Sequence, residues 1–281
     1  MPVLSAASTA LLREIDVVDA QGQTRRLCLP VERSLTLFVD RHELVTLMTL
    51  GQWPELLVLG WLLNQGLVER VGLVDSISVD WDVEAAAVKM RQPIVNLRER
   101  TAQRVVTTGC GQGTVFGDMM EQLEGLALPR NPALRLGRNQ LRPMLEAVRQ
   151  QSVVHREAGS VHGCGLFCDG ELLAFVEDVG RHNAIDSIAG WMALRGVGGD
   201  DKVFYTTGRL TSEMVMKAAR MGLAIVVSRN GATALGHELA RRLGMTLIGR
   251  ASPHRFICYC GADRINGEAL PAQLSQSQAA P

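Results

Sequence analysis

The chain has 281 residues, of which 47% are hydrophobic, and its 29 basic residues balance its 29 acidic residues. This composition is ordinary for a soluble globular protein, and the neutral formal charge excludes a global attraction to nucleic acid or to an anionic membrane. The most apolar run, Leu56–Leu63, is too short to cross a bilayer, and Met1–Ala10 lacks the pattern of a signal peptide. We therefore expect a cytoplasmic protein with no nucleic-acid or membrane partner, and its six cysteines are expected as thiols.

Few regular elements stand out in the first part of the chain. The first ten residues and the tail after Leu270 are polar or small, and we expect both to be disordered. The pattern over Pro54–Gln65 predicts a leucine-rich helix with a proline in its first turn. Apolar and polar residues alternate over Ser76–Trp81, which predicts a strand, and Ala85–Met90 is its expected partner.

A glycine-rich stretch, Thr107–Arg138, separates this part from a better patterned second half. A long stretch without periodicity is uncommon inside a domain and usually has a function or is disordered. We therefore divide the chain into an N-terminal α/β portion (1–106), a Gly-rich cysteine loop (107–138), a C-terminal α/β domain (139–268) and a disordered tail (269–281).

Strands and helices alternate in the second half. The predicted strands are Val161–Phe167, Leu172–Val176, Lys202–Thr206, Leu223–Val227, Met245–Ile248 and Phe256–Cys260, and the predicted helices are Gln140–Gln151, Asn183–Leu194, Ser212–Met221 and Thr233–Leu243. Asp169-Gly170, between the first two strands, is a strong hairpin signal. The alternation predicts an α/β sheet covered by helices, with ligands bound on loops at the strand ends, such as Gly208-Arg209 and Ser228–Thr233.

Three kinds of motif are candidates for chemistry. Cys110 lies between Gly109 and Gly111, which favours an accessible, reactive thiol, although a loop cysteine without a function would look the same. The run Glu177–Asp186 places three acids, an arginine, a histidine and an asparagine at a strand-to-helix junction. Such a junction can bind an anion at the helix start, or can be a helix cap with satisfied polar groups.

Two further junctions repeat this layout. Thr206–Glu213 and Ser228–Thr233 each combine a strand end, a glycine, an arginine and a capping residue. Helix capping alone would explain part of each motif, but three such junctions on one sheet point to a shared face for a phosphate or nucleotide ligand.

A metal site is the weaker interpretation of the cysteines and histidines. The sets considered, without the usual C-x₂-C spacing of structural zinc sites, are His162, Cys164 and Cys168, or Cys258 and Cys260. Strand alternation places the last two on one face, where a role in the core would suffice. The H-x-E and P-C-x-x-C motifs of zinc deaminases are absent.

Together these stretches resemble one family, the formate dehydrogenase accessory sulfurtransferases, or FdhD sulfur carriers. The resemblance runs from about Val31 to Ile265 and is most specific in Glu177-Asp178-Val179-Gly180-Arg181-His182-Asn183. The other matching stretches are Met48–Val68, Gly109–Gly111, Ser212–Ala219 and Arg255–Ile265.

The resemblance implies a fold and an activity. The fold is a cytidine-deaminase-like, three-layer α/β sheet with a smaller N-terminal α/β portion, usually in a homodimer and without the zinc. The activity is that of a sulfurtransferase: a cysteine desulfurase supplies sulfur as a persulfide on Cys110. The sulfur then passes to the molybdenum cofactor, bis-molybdopterin guanine dinucleotide, before the cofactor enters the catalytic subunit of formate dehydrogenase.

The resemblance also implies a cofactor site. The cofactor-binding strand of the family falls on Phe256, Ile257, Cys258, Tyr259, Cys260 and Gly261. Arg181, His182 and Arg209 are further expected contacts, since arginine pairs well with the pyrophosphate of the guanine nucleotide moiety. No catalytic metal is expected.

One departure from the family pattern leaves a second interpretation open. Many members have the loop Cys-Gly-x-Cys-Gly, whereas this chain reads Cys110-Gly111-Gln112-Gly113-Thr114. A second loop thiol is therefore missing, and Cys258 or Cys260 is a conceivable replacement. The alternative function is a cofactor-binding chaperone for a related oxidoreductase that transfers no sulfur. A nucleotide-modifying enzyme of deaminase ancestry is a third, which the absent zinc motif disfavours.

Overall fold

The first part of the chain is built around a five-stranded sheet. The computed structural model describes residues 1–97, 105–107, 111–113, 128 and 131–267. In chain order this part contains β1 (Val3–Leu4), β2 (Leu12–Val18), β3 (Thr24–Pro30), β4 (Arg33–Val39), β5 (His42–Thr49), α1 (Pro54–Asn64), a short 3₁₀ helix (Val71–Leu73), β6 (Val74–Asp80) and β7 (Ala85–Met90). The sheet has the order β1-β6-β7-β4-β5, and β2 and β3 form a separate antiparallel ribbon.

A six-stranded sheet organises the second part. The elements that follow are β8 (Val105–Thr107), β9 (Gly111–Gly113), β10 (Leu136–Gly137), a 3₁₀ helix (Arg138–Gln140), α2 (Leu141–Gln151), α3 (Val153–Ala158), β11 (His162–Cys168), β12 (Glu171–Asp178), α4 (Arg181–Arg195), β13 (Lys202–Thr206), α5 (Ser212–Arg220), β14 (Ile225–Ser228), α6 (Ala234–Arg242), β15 (Thr246–Gly249), β16 (Ile257–Cys260), a 3₁₀ helix (Ala262–Arg264) and β17 (Ile265–Asn266). The sheet has the order β12-β11-β13-β14-β15-β16.

Helices cover both faces of this second sheet. Residues of α2, such as Met144 and Val148, pack with Phe167 and Ile225 on one face. Residues of α4, α5 and α6 pack on the opposite face, where they share a core with Leu166, Phe204 and Val226. Successive residues of a strand point to opposite faces, so Leu166 and Phe167 enter different cores. The predicted three-layer α/β arrangement with a smaller N-terminal portion is confirmed.

The two sheets are joined through a close contact between α1 and α4. A Cβ atom on Gly60 would lie 1.7 Å from the carbonyl oxygen of Asp186, and one on Gly190 would lie 2.0 Å from that of Leu56. Only glycine allows two helix backbones to approach so closely. Asn64 Nδ2 also donates a hydrogen bond of 2.7 Å to Asp186 Oδ1 across this contact. The contact therefore fixes α4, whose first turn carries two predicted site residues.

The prediction for the first ten residues was wrong. Val3 and Leu4 pair in parallel with Ser76 and Ile77 of β6. The following backbone is fastened by Glu55 Oε1, which accepts hydrogen bonds from Ser5 Oγ at 2.5 Å and Ala7 N at 2.6 Å. A local composition of small and polar residues gave no sign of these long-range partners.

The other predicted elements are confirmed, with ends that differ by at most two residues. The Asp169-Gly170 hairpin joins β11 and β12, and both residues have the positive φ that a tight turn requires (48° and 85°). The tail after Leu270 and most of the predicted loop 107–138 lie outside the described residues. The domain boundaries at 106, 138 and 268 stay predictions.

Candidate functional site: the carboxyl edge of the second sheet

The candidate site lies where four parallel strands end. β12 and β13 are both antiparallel to β11 and therefore run in the same direction, and β14 and β15 continue that direction. The strand ends Asp178, Thr206, Ser228 and Gly249 therefore share one edge of the sheet, which also holds His162 at the start of β11. Ligands of open α/β sheets gather at this edge, and the predicted loops are placed there.

Hydrogen bonds fix the two loops that follow β13 and β14 against each other. Ser228 Oγ donates to Gly208 O at 2.6 Å, and Asn230 Nδ2 donates to Thr207 O at 2.8 Å. The backbone N–H of Thr233 reaches Leu210 O at 3.1 Å. The two loops therefore form a single ordered platform rather than independent segments.

Arg181 and Arg209 place positive charge around His162 beside this platform. The buried Arg181 side chain crosses Gly208, where a Cβ would lie 2.7 Å from Arg181 Cδ, so position 208 has no room for a larger residue. Arg209 is exposed. Burial, and then the positive charges of Arg181 and Arg209, lower the pKa of His162. The imidazole is therefore neutral near pH 7, and the positive charge beside it comes from Arg181 and Arg209.

His182 belongs to a buried polar chain behind this group. Its Nε2 atom lies 3.2 Å from Glu213 Oε2, without hydrogen-bond alignment. Lys217 Nζ lies 3.9 Å from Glu213 Oε1 and 2.6 Å from Asp186 Oδ2. Burial and the nearby positive charges of Lys217 and Arg181 lower the pKa of His182 to about 2, whereas burial raises that of Glu213. His182 is therefore neutral and contributes packing rather than charge to the edge.

Glu177 and Asp178 of the Glu177–Asp186 motif accept hydrogen bonds that stabilise neighbouring elements. Glu177 accepts hydrogen bonds of 2.9 Å from the backbone N–H groups of Val154 and His155 at the start of α3. Asp178 Oδ2 accepts from Thr49 Oγ1 at 2.5 Å and from Leu50 N at 3.0 Å, at the end of β5.

Asn183 completes this junction. Its Nδ2 atom donates to Asp178 Oδ1 at 2.9 Å and to Met48 O at 2.7 Å. Asp178 is buried, which raises its pKa to about 6 although several hydrogen bonds oppose the shift. The satisfied polar junction, which was one of the two interpretations of the sequence, describes these three residues.

β16, the edge strand of the six-stranded sheet, contributes Tyr259 to the platform. Tyr259 packs against Gly249, where a Cβ would lie 2.6 Å from Tyr259 Cε2, and its hydroxyl is near Gly231. Ile257 is exposed, and Phe256 is covered by the Arg138 guanidinium, 5.6 Å from the ring centre. Gly261 has a φ of 71° and leaves no room for a side chain beside Thr246.

One expectation about this strand was wrong. Cys258 packs with the core on the α2 face, whereas Cys260 packs with the core on the α4–α6 face. The cause is a bulge: Ile248 pairs with Cys258 and Leu247 pairs with Cys260, so Tyr259 is an extra residue. The two thiols therefore lie on opposite faces of the strand rather than on one.

The chain is similar in sequence to proteins of one known family. The family model described as the FdhD/NarQ family matches residues 30–266. The chain belongs to the FdhD/NarQ family. A sulfur carrier protein FdhD from Listeria innocua is 30% identical over 83% of this chain and 90% of its own length, and one from Bacillus subtilis is 29% identical over 83% and 88%.

A solved structure extends the likeness to the fold. The crystal structure of a putative formate dehydrogenase accessory protein from Desulfotalea psychrophila has a TM-score of 0.73 and 27% identity, over 91% of this chain and 98% of that chain. The resemblance to the FdhD family that the sequence indicated is thereby confirmed.

Within this FdhD/NarQ chain, Cys110 itself lies outside the described residues, between β8 and β9 in sequence. Thr107 pairs with Gly111, and Val105 pairs with Gly113. The role of Cys110 stays a prediction.

Four of the described cysteines are poorly suited to act as thiolates. Burial raises the pKa of Cys164 to about 12, and also raises the pKa values of Cys258 and Cys260. Burial, with the charges of Asp201 and Asp169, raises that of Cys168. Cys168 ends β11 at the opposite edge of the sheet, about 20 Å from the strand ends of the site. Among the described residues, no group of three or more His, Cys, Asp or Glu side chains could hold a metal ion.

The sequence interpretation overlooked a set of basic residues at the same edge. Arg142, Arg149 and Arg156 recur every seven residues over α2 and α3, and they lie near Arg229 around a common cavity. The seven-residue spacing, which is about two helical turns, was the signal that could have identified them.

Proposed function

We propose that this FdhD/NarQ protein is a sulfur carrier that serves a formate dehydrogenase. In the first step the Cys110 thiolate attacks the outer sulfur of a persulfide on a cysteine desulfurase. The S–S bond of the donor breaks, the donor cysteine leaves as a thiolate, and Cys110 holds the new persulfide. The S–S bond of the Cys110 persulfide then breaks with two electrons from a thiol reductant, so that the outer sulfur passes as sulfide to bis-molybdopterin guanine dinucleotide and Cys110 is released as a thiolate.

Family membership is the observation that supports this proposal. The relatives from Listeria innocua and Bacillus subtilis are named sulfur carriers, and the sequence resemblance implies that Cys110 is the persulfide cysteine. The raised pKa values of Cys164, Cys258 and Cys260 support the choice, since a thiolate is the nucleophile. They also argue against Cys258 or Cys260 as a replacement for the missing second loop thiol.

The carboxyl edge of the second sheet is where we propose that the cofactor binds. Arg181 and Arg209 would pair with a pyrophosphate, the best chemical match for their guanidinium groups. Phe256–Gly261 would supply backbone groups and the Tyr259 ring beside the platform. His182 would act indirectly, by packing against Glu213 and holding the start of α4.

Intact-protein mass spectrometry tests the sulfur-carrier step. Wild-type protein incubated with a cysteine desulfurase and cysteine is expected to gain the mass of one sulfur atom, and a reductant should remove it. Cys110→Ala should gain none, whereas Cys168→Ala, at the far edge of the sheet, should behave as wild type. A gain of sulfur by Cys110→Ala would refute the assignment.

A second candidate function is favoured by Gly113. Without a second loop thiol, the chain would be a chaperone that holds the guanylated cofactor and transfers no sulfur. This function predicts no sulfur on Cys110 in the presence of a desulfurase that is active on a control carrier. It also predicts that Cys110→Ala supports maturation of the client oxidoreductase as well as wild type does, whereas the sulfur-carrier function predicts that maturation is lost.

A further inference from the structure

A cavity of about 580 Å³ lies where the ends of α1 and α5 meet the second half of α4. α4 and α5 begin at the carboxyl edge of the second sheet, and the cavity lies along their later turns. It is therefore separate from the site described above. Its volume is in the range of sites for small organic ligands.

The part of the cavity formed by α4 is apolar. Ala189, Met192 and Ala193 are three and four positions apart, so they share one face of the helix. The two alanines leave room above this face, and Val68 and Met221 add further apolar surface around it. Methionine side chains adapt easily to the shape of an apolar group. The lining therefore suits an aliphatic chain.

Two opposite charges lie beside this apolar surface. Arg220 ends α5, and its guanidinium group lies over Gly66, where a Cβ would stand 2.6 Å from Arg220 Nη1. Glu69, three residues after Gly66, is exposed and forms no ion pair with any residue in the described part of the chain. Both side chains line the cavity. One cation and one anion together favour a zwitterionic ligand over a simple anion or a simple cation.

The ends of two helices favour an ammonium group in the same place. α1 ends at Asn64 and α5 ends at Arg220, and the last carbonyl groups of a helix carry partial negative charge. Asn64 also lines the cavity, and its Nδ2 atom donates to Asp186 Oδ1 at 2.7 Å. The amide oxygen is therefore the acceptor that Asn64 offers a ligand. An ammonium group has three donors for such acceptors.

We infer that this cavity binds a free α-amino acid with an aliphatic side chain. Arg220 pairs with the carboxylate, Glu69 binds the ammonium group, and the side chain lies on Ala189 and Ala193. A small molecule with both charges on one carbon and an apolar chain beside them uses every one of these features. The inference goes beyond the proposed function, because binding requires neither the cofactor nor sulfur chemistry at Cys110.

Isothermal titration calorimetry of the full chain tests the site with four ligands. L-Leucine is compared with isocaproate, which lacks the ammonium group, with isoamylamine, which lacks the carboxylate, and with glycine, which lacks the side chain. We expect leucine to bind more tightly than each of the others by about tenfold or more. Each charge-assisted hydrogen bond and the burial of a leucine side chain contribute enough for this difference.

Two charge variants assign the ends of the ligand. Arg220→Gln should bind leucine no more tightly than isoamylamine, because the carboxylate has lost its partner, and Arg220→Lys should recover part of the difference. Glu69→Gln should bind leucine no more tightly than isocaproate. Since Glu69 is exposed, this second variant tests the site without disturbing the packing. Arg70→Gln, which removes an exposed arginine outside the lining, should leave all four affinities unchanged.

A variant of the apolar surface completes the test. Ala193→Leu should weaken leucine binding because the larger side chain fills the space above α4, and circular dichroism checks that this variant is folded. The inference is overturned if folded wild-type protein binds no leucine at millimolar concentration, or binds glycine or either analogue as tightly as leucine. Wild-type selectivity in both Arg220→Gln and Glu69→Gln would also reject it. Cys110→Ala should keep full affinity for leucine, so a failure of sulfur transfer leaves this result independent.

Discussion

Gly60 of α1 lies in direct contact with the main-chain carbonyl group of Asp186 in α4, and a Cβ atom there would stand 1.7 Å from the oxygen. The obstacle is backbone, so rotation of a side chain cannot relieve the overlap. We expect Gly60→Ala to lower the free energy of unfolding by about 3 kcal/mol, at the upper end of the usual cost of overpacking. Urea unfolding followed by circular dichroism measures this loss.

Gly72→Ala is the matched control for this prediction. Position 72 has no atom within 4 Å of the added Cβ and does not require a positive φ. Its unfolding free energy should stay within about 0.5 kcal/mol of the wild-type value. Equal stability of the Gly60 and Gly72 variants would show that α1 and α4 can separate without cost, contrary to the contact seen here.

The raised pKa of Asp178 predicts that the free energy of unfolding depends on pH. Burial raises its pKa from 3.8 to about 6, so the folded protein holds this proton more tightly than the unfolded chain does. Between about pH 4 and pH 6 the folded state therefore binds more protons, and stability contributed by Asp178 falls as pH rises through that window. The full change corresponds to roughly 3 kcal/mol.

Asp178→Asn isolates this contribution. The variant removes the titrating group, so the difference in unfolding free energy between wild type and variant should change across pH 4–6 and be flat above pH 7. Asp186 and Glu213, whose pKa values are also raised by burial, are present in both proteins and should largely cancel in the difference. Parallel pH profiles would contradict the prediction.

Glu177 should be needed for the start of α3. Its carboxylate accepts the backbone N–H groups of Val154 and His155, so Glu177→Ala leaves two donors without this partner. We expect a loss of about 2 kcal/mol in unfolding free energy and faster hydrogen exchange at these two amides. Glu157→Ala, on an exposed position of the same helix, should change neither quantity. Unchanged protection of both amides in the Glu177 variant would reject this role.

The sequence predicted the second sheet well because local pattern determines it. Its strands are short apolar runs between helices with clear starts, and the Asp169-Gly170 turn is readable from two residues. The sequence interpretation gave no assignment for β2–β5, and for β2 and β3 the exposure of their ribbon is the reason. That ribbon mixes charged residues with exposed Leu27 and Leu29, so no buried face imposes an alternation.

The location of the site could be predicted from the sequence, but the contacts of its residues could not. Strand direction alone brought Gly208 and Ser228–Thr233 to one edge. The structural use of Asp178 depends on Thr49, a partner 129 positions away in sequence, which no local pattern reveals. The bulge at Tyr259, which separates Cys258 from Cys260, is likewise a property of the paired strand β15.

Lys217 should be essential to the buried polar chain. Its Nζ atom lies 2.6 Å from Asp186 Oδ2, and both side chains are almost completely buried. Lys217→Met would leave the Asp186 carboxylate without its cation, which typically costs about 3–5 kcal/mol. Lys89→Met, which breaks an exposed pair with Asp75, should cost less than about 1 kcal/mol. Similar losses in the two variants, measured by urea unfolding, would refute this difference.

The reactivity of the thiols provides a direct check on their different environments. Cys164 is fully buried with a pKa of about 12, so it should stay unmodified by iodoacetamide at pH 8 as long as the protein is folded. Cys110, if it is the sulfur-accepting thiol, should be alkylated first, and prior loading with sulfur from a desulfurase should change its product to the alkylated persulfide. Peptide mass mapping over time distinguishes the sites, with urea-unfolded protein as the control in which Cys164 reacts. Native labelling of Cys164 at a rate comparable to that of Cys110 would contradict the buried environment, and would remove one reason for preferring Cys110 as the carrier.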